Sequence, residues 1–460
     1  MSRYAVVGGG IAGLAAARDL LLADHQVTLF EASNDLGGKI RISPLGGVDV
    51  DEGPDSVLAR VPFAVELANE LGLGDELTPQ PPGSAYLFSR GELRRLPEGN
   101  VLGIPTDLDA LAESGVVSPE AVARAAEDLA APEDRPTDRP DGDESVGDLV
   151  RRRLGDEILE RMVDPLLGGI NAGDADRLSL AAGAPQIAAA AGRHPSLIEA
   201  LRAQRAAAPA PSGAPVFYTL RGGLRRLVDA LVASLDGART RTGTSVTGIE
   251  RIDGGYRLAV SSGTSTEHLE VDGAVLATPS YVTARLVADL APVASAELDA
   301  IDYSSVVLTA LAVPTSAVSR PLDASGYLIP RVEGLLLTAC TWTSVKWPQL
   351  ASPGQLLLRA SAGRYGDDRA IEMDDDELLA AVLADLATTM GLSGEPTDVR
   401  ITRWPRSFPQ YTPGHSARVD RIEASLAGAA PGIVLAGAAY RGVGIPACIN
   451  SGRTAAASLS

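Results

Sequence analysis

The sequence is poor in the residues that build disulfide frameworks and metal sites. Among its 460 residues there are only two cysteines, Cys340 and Cys448, and four histidines scattered along the chain. Two thiols so far apart make no disulfide framework, and no two histidines have ligand spacing on one helix face. We therefore expect no metal cofactor.

Aromatic residues and lysine are also scarce. Aromatic side chains make up 4% of the chain, and Lys39 and Lys346 are its only lysines, the other basic residues being arginines. The formal net charge of −19 disfavours nucleic acid and anionic membranes as partners, because both require a dense basic face. No apolar run reaches the ~18 residues that a membrane span needs. We expect a soluble, cytoplasmic protein without integral membrane association.

Small and aliphatic residues are abundant instead. Hydrophobic residues make up 45% of the chain, and there are 48 glycines, which is enough for sizeable, closely packed cores. A chain of this length exceeds one ordinary core, so two or three structural units are expected.

A glycine-rich turn follows the first apolar run of the chain. Gly8, Gly10 and Gly13 have G-x-G-x-x-G spacing between the run YAVV and a helical pattern, and Glu31 ends the next apolar run. Glycine here permits the tight turn, the approach of a pyrophosphate to the backbone, and helix–strand packing. The free N–H groups of a helix N-terminus bind phosphate, and a carboxylate such as Glu31 accepts hydrogen bonds from ribose. The pattern predicts a βαβ unit that binds a dinucleotide.

Shorter patterns predict elements elsewhere in the chain. The run YLFSRGELRRLP at 86–97 is typical of a hairpin that turns at Arg90-Gly91. Ser145 is placed to cap the helix that follows it, and the helix over MDDDELLAAVLADLATTMG is expected to end at Gly391.

Two further segments indicate which dinucleotide is bound. The turn Gly37-Gly38 can accommodate a second phosphate, with either Lys39 or Arg41 as its cation. DEGPDS at 51–56 then follows in place of the further βα units expected of a nicotinamide enzyme. Near the C-terminus, an apolar strand ending in Ala-Gly is followed by a Gly-rich turn and a helix expected to start near Ile449. These features favour FAD over NAD.

Segments that span most of the chain resemble the protoporphyrinogen and coproporphyrinogen oxidases, a family of amine oxidase-type flavoproteins. They include DPLLGGINAGDADRLSL at 164–180, CTWTSVKWP at 340–348, RWPRSFPQYTPGH at 403–415 and GVGIPACINSG at 442–452. The resemblance implies an α/β + α fold with a discontinuous Rossmann-like FAD-binding domain, a mixed-sheet substrate domain and a helical domain, as in amine oxidases and para-hydroxybenzoate hydroxylase. The implied boundaries are 1–80, 215–290 and 425–460 for the FAD-binding domain, 81–100 and 291–424 for the substrate-binding domain, and 101–214 for the helical domain.

The resemblance also implies a set of site residues. Those expected at the FAD are Gly8, Gly10, Ile11, Ala12, Gly13, Glu31, Ala32, Gly37, Gly38, Lys39, Gly53, Pro54, Asp55, Ser56, Val246, Trp404, Gly437, Val443, Gly444 and Ile445. Those expected at the substrate are Arg60, Gly169, Asn171 and Ala172. Arg60 would contact a propionate, the alternative being a solvated arginine at a helix entry. The turn Gly168–Gly173 would face the pyrroles with its backbone carbonyls, the alternative being a helix–helix connector.

Several positions have a role that the resemblance leaves open. No side-chain base is named, because tautomerisation can pass through solvent or a backbone carbonyl. Lys346 is expected at the surface, with a water-holding role near the flavin as the alternative. Lys39 stands where arginine is usual in the family, Asn171 where an aromatic residue is common, and Arg441 where an acidic residue is frequent.

The chain most resembles the soluble bacterial branch of the family. This branch implies a six-electron oxidation of coproporphyrinogen III to coproporphyrin III in heme biosynthesis, with O₂ reduced to hydrogen peroxide and a transient hand-over of product to ferrochelatase. The acidic stretch 131–145, predicted as an exposed loop, favours the soluble branch. The alternatives are a protoporphyrinogen IX oxidase, an FAD-dependent amine oxidase, a carotenoid desaturase-like enzyme and a flavin-binding scaffold without turnover.

Overall fold

The structure is a computed structural model that describes residues 1–130, 143–207, 215–263 and 265–460. Most of the acidic stretch predicted as an exposed loop, at 131–142, lies outside the described residues. The strands are, in chain order, β1 (Arg3–Val7), β2 (Gln26–Phe30), β3 (Ile42–Leu45), β4 (Val48–Asp51), β5 (Val57–Leu58), β6 (Leu77–Pro79), β7 (Tyr86–Ser89), β8 (Glu92–Arg95), β9 (Asn100–Val101), β10 (Ile104–Pro105), β11 (Phe217–Leu220), β12 (Arg239–Arg241), β13 (Ser245–Ile252), β14 (Gly255–Ser262), β15 (Ser265–Val271), β16 (Gly273–Leu276), β17 (Tyr303–Pro314), β18 (Gly326–Leu328), β19 (Leu337–Thr341), β20 (Gln355–Ala362), β21 (Asp398–Pro409) and β22 (Ile433–Leu435). The helices are α1 (Ile11–Leu22), α2 (Phe63–Glu70), α3 (Leu108–Ser114), α4 (Pro119–Ala126), α5 (Val146–Leu154), α6 (Asp156–Ile158), α7 (Asp164–Asn171), α8 (Leu180–Gly183), α9 (Pro185–Ala191), α10 (Leu197–Ala207), α11 (Arg225–Ala233), α12 (Ser280–Leu286), α13 (Pro292–Asp299), α14 (Thr343–Lys346), α15 (Arg369–Glu372), α16 (Asp375–Met390), α17 (His415–Ala429) and α18 (Ile445–Ala457).

A five-stranded parallel sheet combines strands from both ends of the chain. Its order is β12-β2-β1-β16-β22, and every neighbouring pair is parallel. β1 and β16 are apolar and buried, as expected of parallel strands covered on both faces. The predicted βαβ unit is confirmed, since α1 connects β1 to its parallel neighbour β2.

The first and last helices pack directly on one another. A side-chain carbon at Gly452 of α18 would overlap the carbonyl oxygen of Ala12 in α1. The approach is this close because glycine has no Cβ. The contact joins the two ends of the chain into one hydrophobic core.

A seven-stranded mixed sheet has the order β21-β17-β20-β19-β18-β7-β8, with one parallel pair, β18 and β7. The predicted hairpin β7–β8 is confirmed and turns at Arg90 and Gly91, both with positive φ. α16 covers this sheet with an apolar face. It begins at a capping box formed by Asp374 and Glu377 and ends, as predicted, at Gly391 in the left-handed conformation.

The helices α3 to α10, which lie between β10 and β11 in the sequence, enclose a separate hydrophobic cluster. The predicted N-cap of α5 is confirmed, because the Ser145 hydroxyl accepts a hydrogen bond from the backbone N–H of Asp148 at 3.0 Å. No helix in the described part of the chain is both long and apolar enough to cross a bilayer. The domain boundaries that the resemblance implies stay a prediction.

Replacing glycine by alanine should have different effects at two helical positions, one inside the α1–α18 contact and one outside it. Gly452→Ala should lower the free energy of unfolding by roughly 1–3 kcal/mol, because the added methyl overpacks the contact with α1. Gly428→Ala is the matched control, since Gly428 is exposed near the end of α17 and nothing lies within 4 Å of its Cβ position. The control should be neutral or stabilising by up to about 1 kcal/mol. Chemical unfolding followed by far-UV circular dichroism measures both; equal effects would contradict the packing argument.

Candidate functional site

The first glycine motif forms the turn between β1 and α1. Gly8 has a φ of 110°, and a Cβ there would lie 2.6 Å from the carbonyl oxygen of Ala277. A Cβ at Gly13 would overlap the carbonyl oxygen of Gly8, whereas nothing lies within 4 Å of the Cβ position of Gly10. No side chain caps α1, and its first turn has no acidic residue. The turn therefore presents the uncapped N-terminus of a buried helix, which is suited to a phosphate.

Glu31 lies directly after β2 and beside this turn. Its Oε2 accepts a hydrogen bond from the backbone N–H of Gly9 at 2.7 Å, and its Oε1 accepts one from Ser33 at 2.8 Å. A carboxylate has about four lone-pair positions, so each oxygen can still accept from a ribose hydroxyl. Val246 is buried in β13. Just before this strand, the backbone N–H of Thr244 donates a hydrogen bond to the carbonyl of Glu31, so β13 begins beside Glu31.

The second glycine motif packs against the first. The backbone N–H of Gly37 donates to the carbonyl of Gly9 at 2.8 Å, and the Cβ position of Gly38 lies 3.2 Å from the Cα of Gly10. The Lys39 side chain that follows is accessible to solvent but surrounded by protein, as in a cleft, and desolvation lowers its pKa. Within the described residues it makes no hydrogen bond or ion pair. Its ammonium group is therefore available to an anion.

The neighbours of Lys39 distinguish it from Arg41, the other cation considered for the second phosphate. Arg41 donates from Nε to the carbonyl of Gly38 at 2.9 Å and lies over the ring of Trp404, 5.3 Å from its centroid. Lys39 is near Cys448 of α18, whose thiol pKa burial raises to about 11 although the ammonium lowers it. The geometry thus favours Lys39 for the phosphate.

The segment Gly53–Ser56 lies beside Lys39. A Cβ at Gly53 would overlap the carbonyl oxygen of Lys39 and lie 3.9 Å from a ring carbon of Trp404. The indole Nε1 of Trp404 donates to the carbonyl of Glu52 at 2.8 Å. Three residues predicted at the FAD, namely Lys39, Gly53 and Trp404, therefore lie together, although Trp404 is far from the other two in the sequence.

α18 begins at Ile445, so the expected start near Ile449 is wrong. Pro446 occupies the first turn, where a missing N–H costs no hydrogen bond and the ring fixes a helical φ. The N-cap residue is Gly444, and no side chain caps this helix either. Because α18 begins at Ile445, its uncapped N-terminus lies at the Gly-rich turn itself.

Tyr411 and His415 support the loop that precedes α18. The Tyr411 hydroxyl donates to the carbonyl of Ala438 at 2.6 Å and accepts from the N–H of Gly442 at 2.8 Å. His415 stacks on Tyr411 with ring centroids 4.0 Å apart, and its Nε2 lies 2.9 Å from the carbonyl of Tyr440. Burial lowers the pKa of His415 to about 4, so the ring is neutral at physiological pH. Gly437, at the start of the loop, has a φ of 117°.

Asp55 is a buried carboxylate that contacts two cations. Its oxygens lie 2.9 and 3.0 Å from Nζ of Lys346, and its Oδ2 lies 3.1 Å from Nη2 of Arg359. Trp347 Nε1 also donates to Oδ2, at 3.2 Å. Burial raises the pKa of Asp55, but Arg359 and Lys346 outweigh it and hold that pKa well below its usual range. We call Asp55, Lys346 and Arg359 the Asp55 cluster.

The expectation that Lys346 lies at the surface is wrong. Its side chain is 13% exposed, because the buried Asp55 draws the ammonium inward. Arg359 was missed altogether from the sequence, since one arginine in an apolar strand does not reveal its partner. The one signal for Lys346 was its rarity, as one of two lysines in the chain.

Asp51 lies close to the same cluster and titrates abnormally. Burial and the nearby Asp55 raise the pKa of its carboxyl to about 7. The carboxyl accepts a hydrogen bond from the N–H of Leu224 at 3.1 Å.

The segment predicted to face the substrate is helical for most of its length. α7 continues through Asn171, so the expectation of a turn across 168–173 is wrong there. The carbonyl of Asn171 accepts a hydrogen bond from Gln410 Nε2 at 3.1 Å, and that of Ala172 accepts from the N–H of Tyr365 at 2.8 Å. These two carbonyls are already bonded within the protein. Paired glycines suggested a turn, but the burial of one face of α7 stabilises the helix.

The accessible face of α7 is apolar. Gly169 is exposed, Ile170 is 53% exposed, and a methyl group of Leu328 in β18 lies 3.4 Å from the Cβ position of Gly169. Leu166, Leu328 and Val443 are partly buried against one hydrophobic cluster. α7, β18 and the loop before α18 therefore contribute apolar side chains to the same cluster. Arg60 is exposed and makes no hydrogen bond or ion pair within the described part of the chain.

Comparison with known proteins identifies the family. The model of the flavin-containing amine oxidoreductases matches residues 11–460. The chain belongs to this family. It is 36% identical to a coproporphyrinogen III oxidase of Bacillus subtilis, over 98% of this chain and 96% of that protein, and 37% identical to one of Mycobacterium bovis, over 99% and 97%. Such identity over full length also places the chain in the protoporphyrinogen and coproporphyrinogen oxidase family, as the sequence predicted.

Solved structures confirm the predicted fold class. A crystal structure from Exiguobacterium, provisionally assigned as a protoporphyrinogen oxidase, has a TM-score of 0.88 and 34% identity, covering 100% of this chain and 98% of that one. The cyclohexylamine oxidase of Brevibacterium oxydans has a TM-score of 0.72 and 18% identity, over 100% and 98%, and shares the fold.

FAD is the cofactor of this flavoprotein, and the residues present fit it. The N-termini of α1 and α18 both lie at glycine-rich turns without a side-chain cap, nothing lies within 4 Å of the Cβ position of Gly10, and the Lys39 ammonium is unpaired among the described residues. A dinucleotide with two phosphates accounts for these features together.

The unpaired ammonium predicts a charge requirement at one position. Lys39→Met should weaken FAD binding roughly 10- to 100-fold, the size expected for a lost charge-assisted contact. Lys39→Arg keeps the charge and should bind within a few-fold of the wild type. Titration of FAD into apoprotein, followed by flavin fluorescence, measures the dissociation constants. Unchanged binding by Lys39→Met would show that the cation serves another purpose.

The raised pKa of Asp51 predicts a pH dependence of stability. In the folded protein its carboxyl holds a proton up to about pH 7, whereas in the unfolded chain the carboxyl has the ordinary aspartate pKa of 3.8. The stabilisation is complete below the unfolded pKa and is lost as the pH rises through the folded pKa. Between about pH 5 and about pH 8, the wild type should lose roughly 2–3 kcal/mol of stability relative to Asp51→Asn. Urea unfolding of both proteins at the two pH values measures the difference; parallel curves would contradict it.

Proposed function

We propose that the protein oxidises coproporphyrinogen III to coproporphyrin III, using bound FAD and O₂ and releasing hydrogen peroxide. The observation that carries the proposal is the full-length identity of 34–37% to bacterial proteins of that name. A plant protoporphyrinogen oxidase, from Arabidopsis thaliana, is more distant at 28%. Oxidation of protoporphyrinogen IX is therefore the second candidate.

The cofactor would lie along the contacts described above. The pyrophosphate would face the N-terminus of α1 through Gly10, Ile11 and Ala12, with Lys39 as counter-charge, and Glu31 would accept from the ribose. The flavin would lie between the segment 53–56 and the loop before α18. The residues proposed to line this half are Gly53, Pro54, Asp55, Ser56, Trp404, Gly437, Val443, Gly444 and Ile445.

The substrate would lie against the apolar surface between α7 and β18. A porphyrinogen has an apolar macrocycle and charged propionates, so an apolar slot with cations at its rim is the complementary site. Gly169 lets the macrocycle approach the helix without a side chain in between. Arg60, exposed and unpaired among the described residues, is the proposed propionate contact. Asn171 and Ala172 would shape the slot through the ends of α7, since their carbonyls are bonded elsewhere.

In this proposal the cofactor and the protein have separate roles in the reaction. Bound FAD would supply the hydride-accepting chemistry and the reactivity with O₂. The protein would position the macrocycle beside the cofactor and limit the access of bulk water to both. A buried Tyr411 hydroxyl that is already hydrogen-bonded twice, and a neutral His415, are not placed to act as bases. The pyrrole proton would then pass to solvent. Cytoplasmic location and hand-over of the product to ferrochelatase are further parts of this proposal.

Oxidation in air tests the proposal directly. The purified protein with coproporphyrinogen III should produce porphyrin fluorescence with about three peroxides per porphyrin, because six electrons leave in pairs. Protoporphyrinogen IX, assayed in parallel, should react more slowly. A faster reaction with protoporphyrinogen IX would favour the second candidate. Bleaching of the flavin by an amine without porphyrin formation would contradict both, and no reduction by any donor would indicate a scaffold.

A further inference from the structure

The Asp55 cluster is a buried group of charges that the proposed reaction does not use. Its three side chains are between 9% and 15% exposed. A buried ion pair seldom stabilises a fold more than apolar residues would, because desolvation offsets the attraction. The burial of these charges therefore indicates a role beyond stability.

The cluster is connected to the cofactor cleft through backbone. Arg359 donates from Nη1 to the carbonyl of Gly53 at 2.9 Å. Gly53 in turn packs on the carbonyl of Lys39 and beside the Trp404 ring. The charges thus lie at the segment 53–56, which includes Asp55 and whose Gly53 carbonyl binds Arg359.

The choice of side chains also points to electrostatics. The chain has lysine at only two positions, and both lie at this cleft. Lys346 places its ammonium over the rings of Phe217 and Trp347, at 5.8 and 5.3 Å from their centroids. Lysine is a compact point charge, unlike the planar fork of arginine.

We propose that the Asp55 cluster tunes the reduction potential of the flavin, with Lys346 and Arg359 favouring the reduced cofactor and Asp55 opposing them. Adding electrons to the cofactor is easier near positive charge, and this effect is large where the local dielectric is low. Lys346 is then a positioning residue for charge and not a catalytic residue. The inference rests on the flavin of the proposed function but not on the porphyrinogen.

A cycle of charge substitutions at this cluster separates charge from structure. Relative to the wild type, Lys346→Met changes the cluster by −1, Asp55→Asn by +1, and the double variant by zero. We expect the midpoint potential of bound FAD to fall in Lys346→Met, to rise in Asp55→Asn and to return near the wild-type value in the double variant. The potential is measured by dithionite or dye-coupled reduction of the holoenzyme at one fixed pH, without any porphyrinogen. Lys346→Arg should retain the wild-type potential.

A substitution at a different ion pair serves as the control for lost stability. Arg161→Met breaks another ion pair, with Glu333, and should lower thermal stability without moving the potential. If the double variant has the lowest potential of the set, or if all potentials equal the wild type while only stability falls, the proposal is overturned. Should Lys346→Met not retain FAD, the expected rise in Asp55→Asn still tests the sign of the charge effect. Because no porphyrinogen is present, these results stand whether or not coproporphyrinogen III is the substrate.

Discussion

The close approach of the first and last helices is the contact on which the cofactor site depends. At Gly452 the backbone of α18 lies so near Ala12 that no side chain fits between them. This fixes the start of α18, and with it the Gly-rich loop that Tyr411 also supports. The N-terminal turn and the C-terminal loop can contact one cofactor only because these helices share one core.

Charge is distributed at the site against the acidic balance of the whole chain. The net charge is −19, yet Lys39 keeps an ammonium without a protein partner in the described part of the molecule. Lys346 and Arg359 are instead bound by the ionised Asp55. One cation is thus left for a ligand, while two are held in a fixed buried arrangement behind it. The difference follows from burial, since a buried cation must be paired.

The proposed substrate surface is assembled from elements that lie far apart in the sequence. α7 contributes Gly169 and Ile170, β18 contributes Leu328, and the C-terminal loop contributes Val443. The relatives suggest a porphyrinogen, and an apolar surface beside a flavin is compatible with one. The amine oxidases share the fold at 18% identity or less, so the fold by itself does not select the substrate.

The sequence by itself determined the glycine turns, the βαβ unit, the capped helices and the family, because each depends on residues close together in the chain. The residues that it predicts at the FAD and at the substrate stay a prediction. It misjudged the turn at 168–173, the start of α18 and the position of Lys346. Only the tertiary structure decided these, because burial of one helix face, the packing of α18 on α1 and the pull of the buried Asp55 on a distant ammonium all act between residues far apart in sequence.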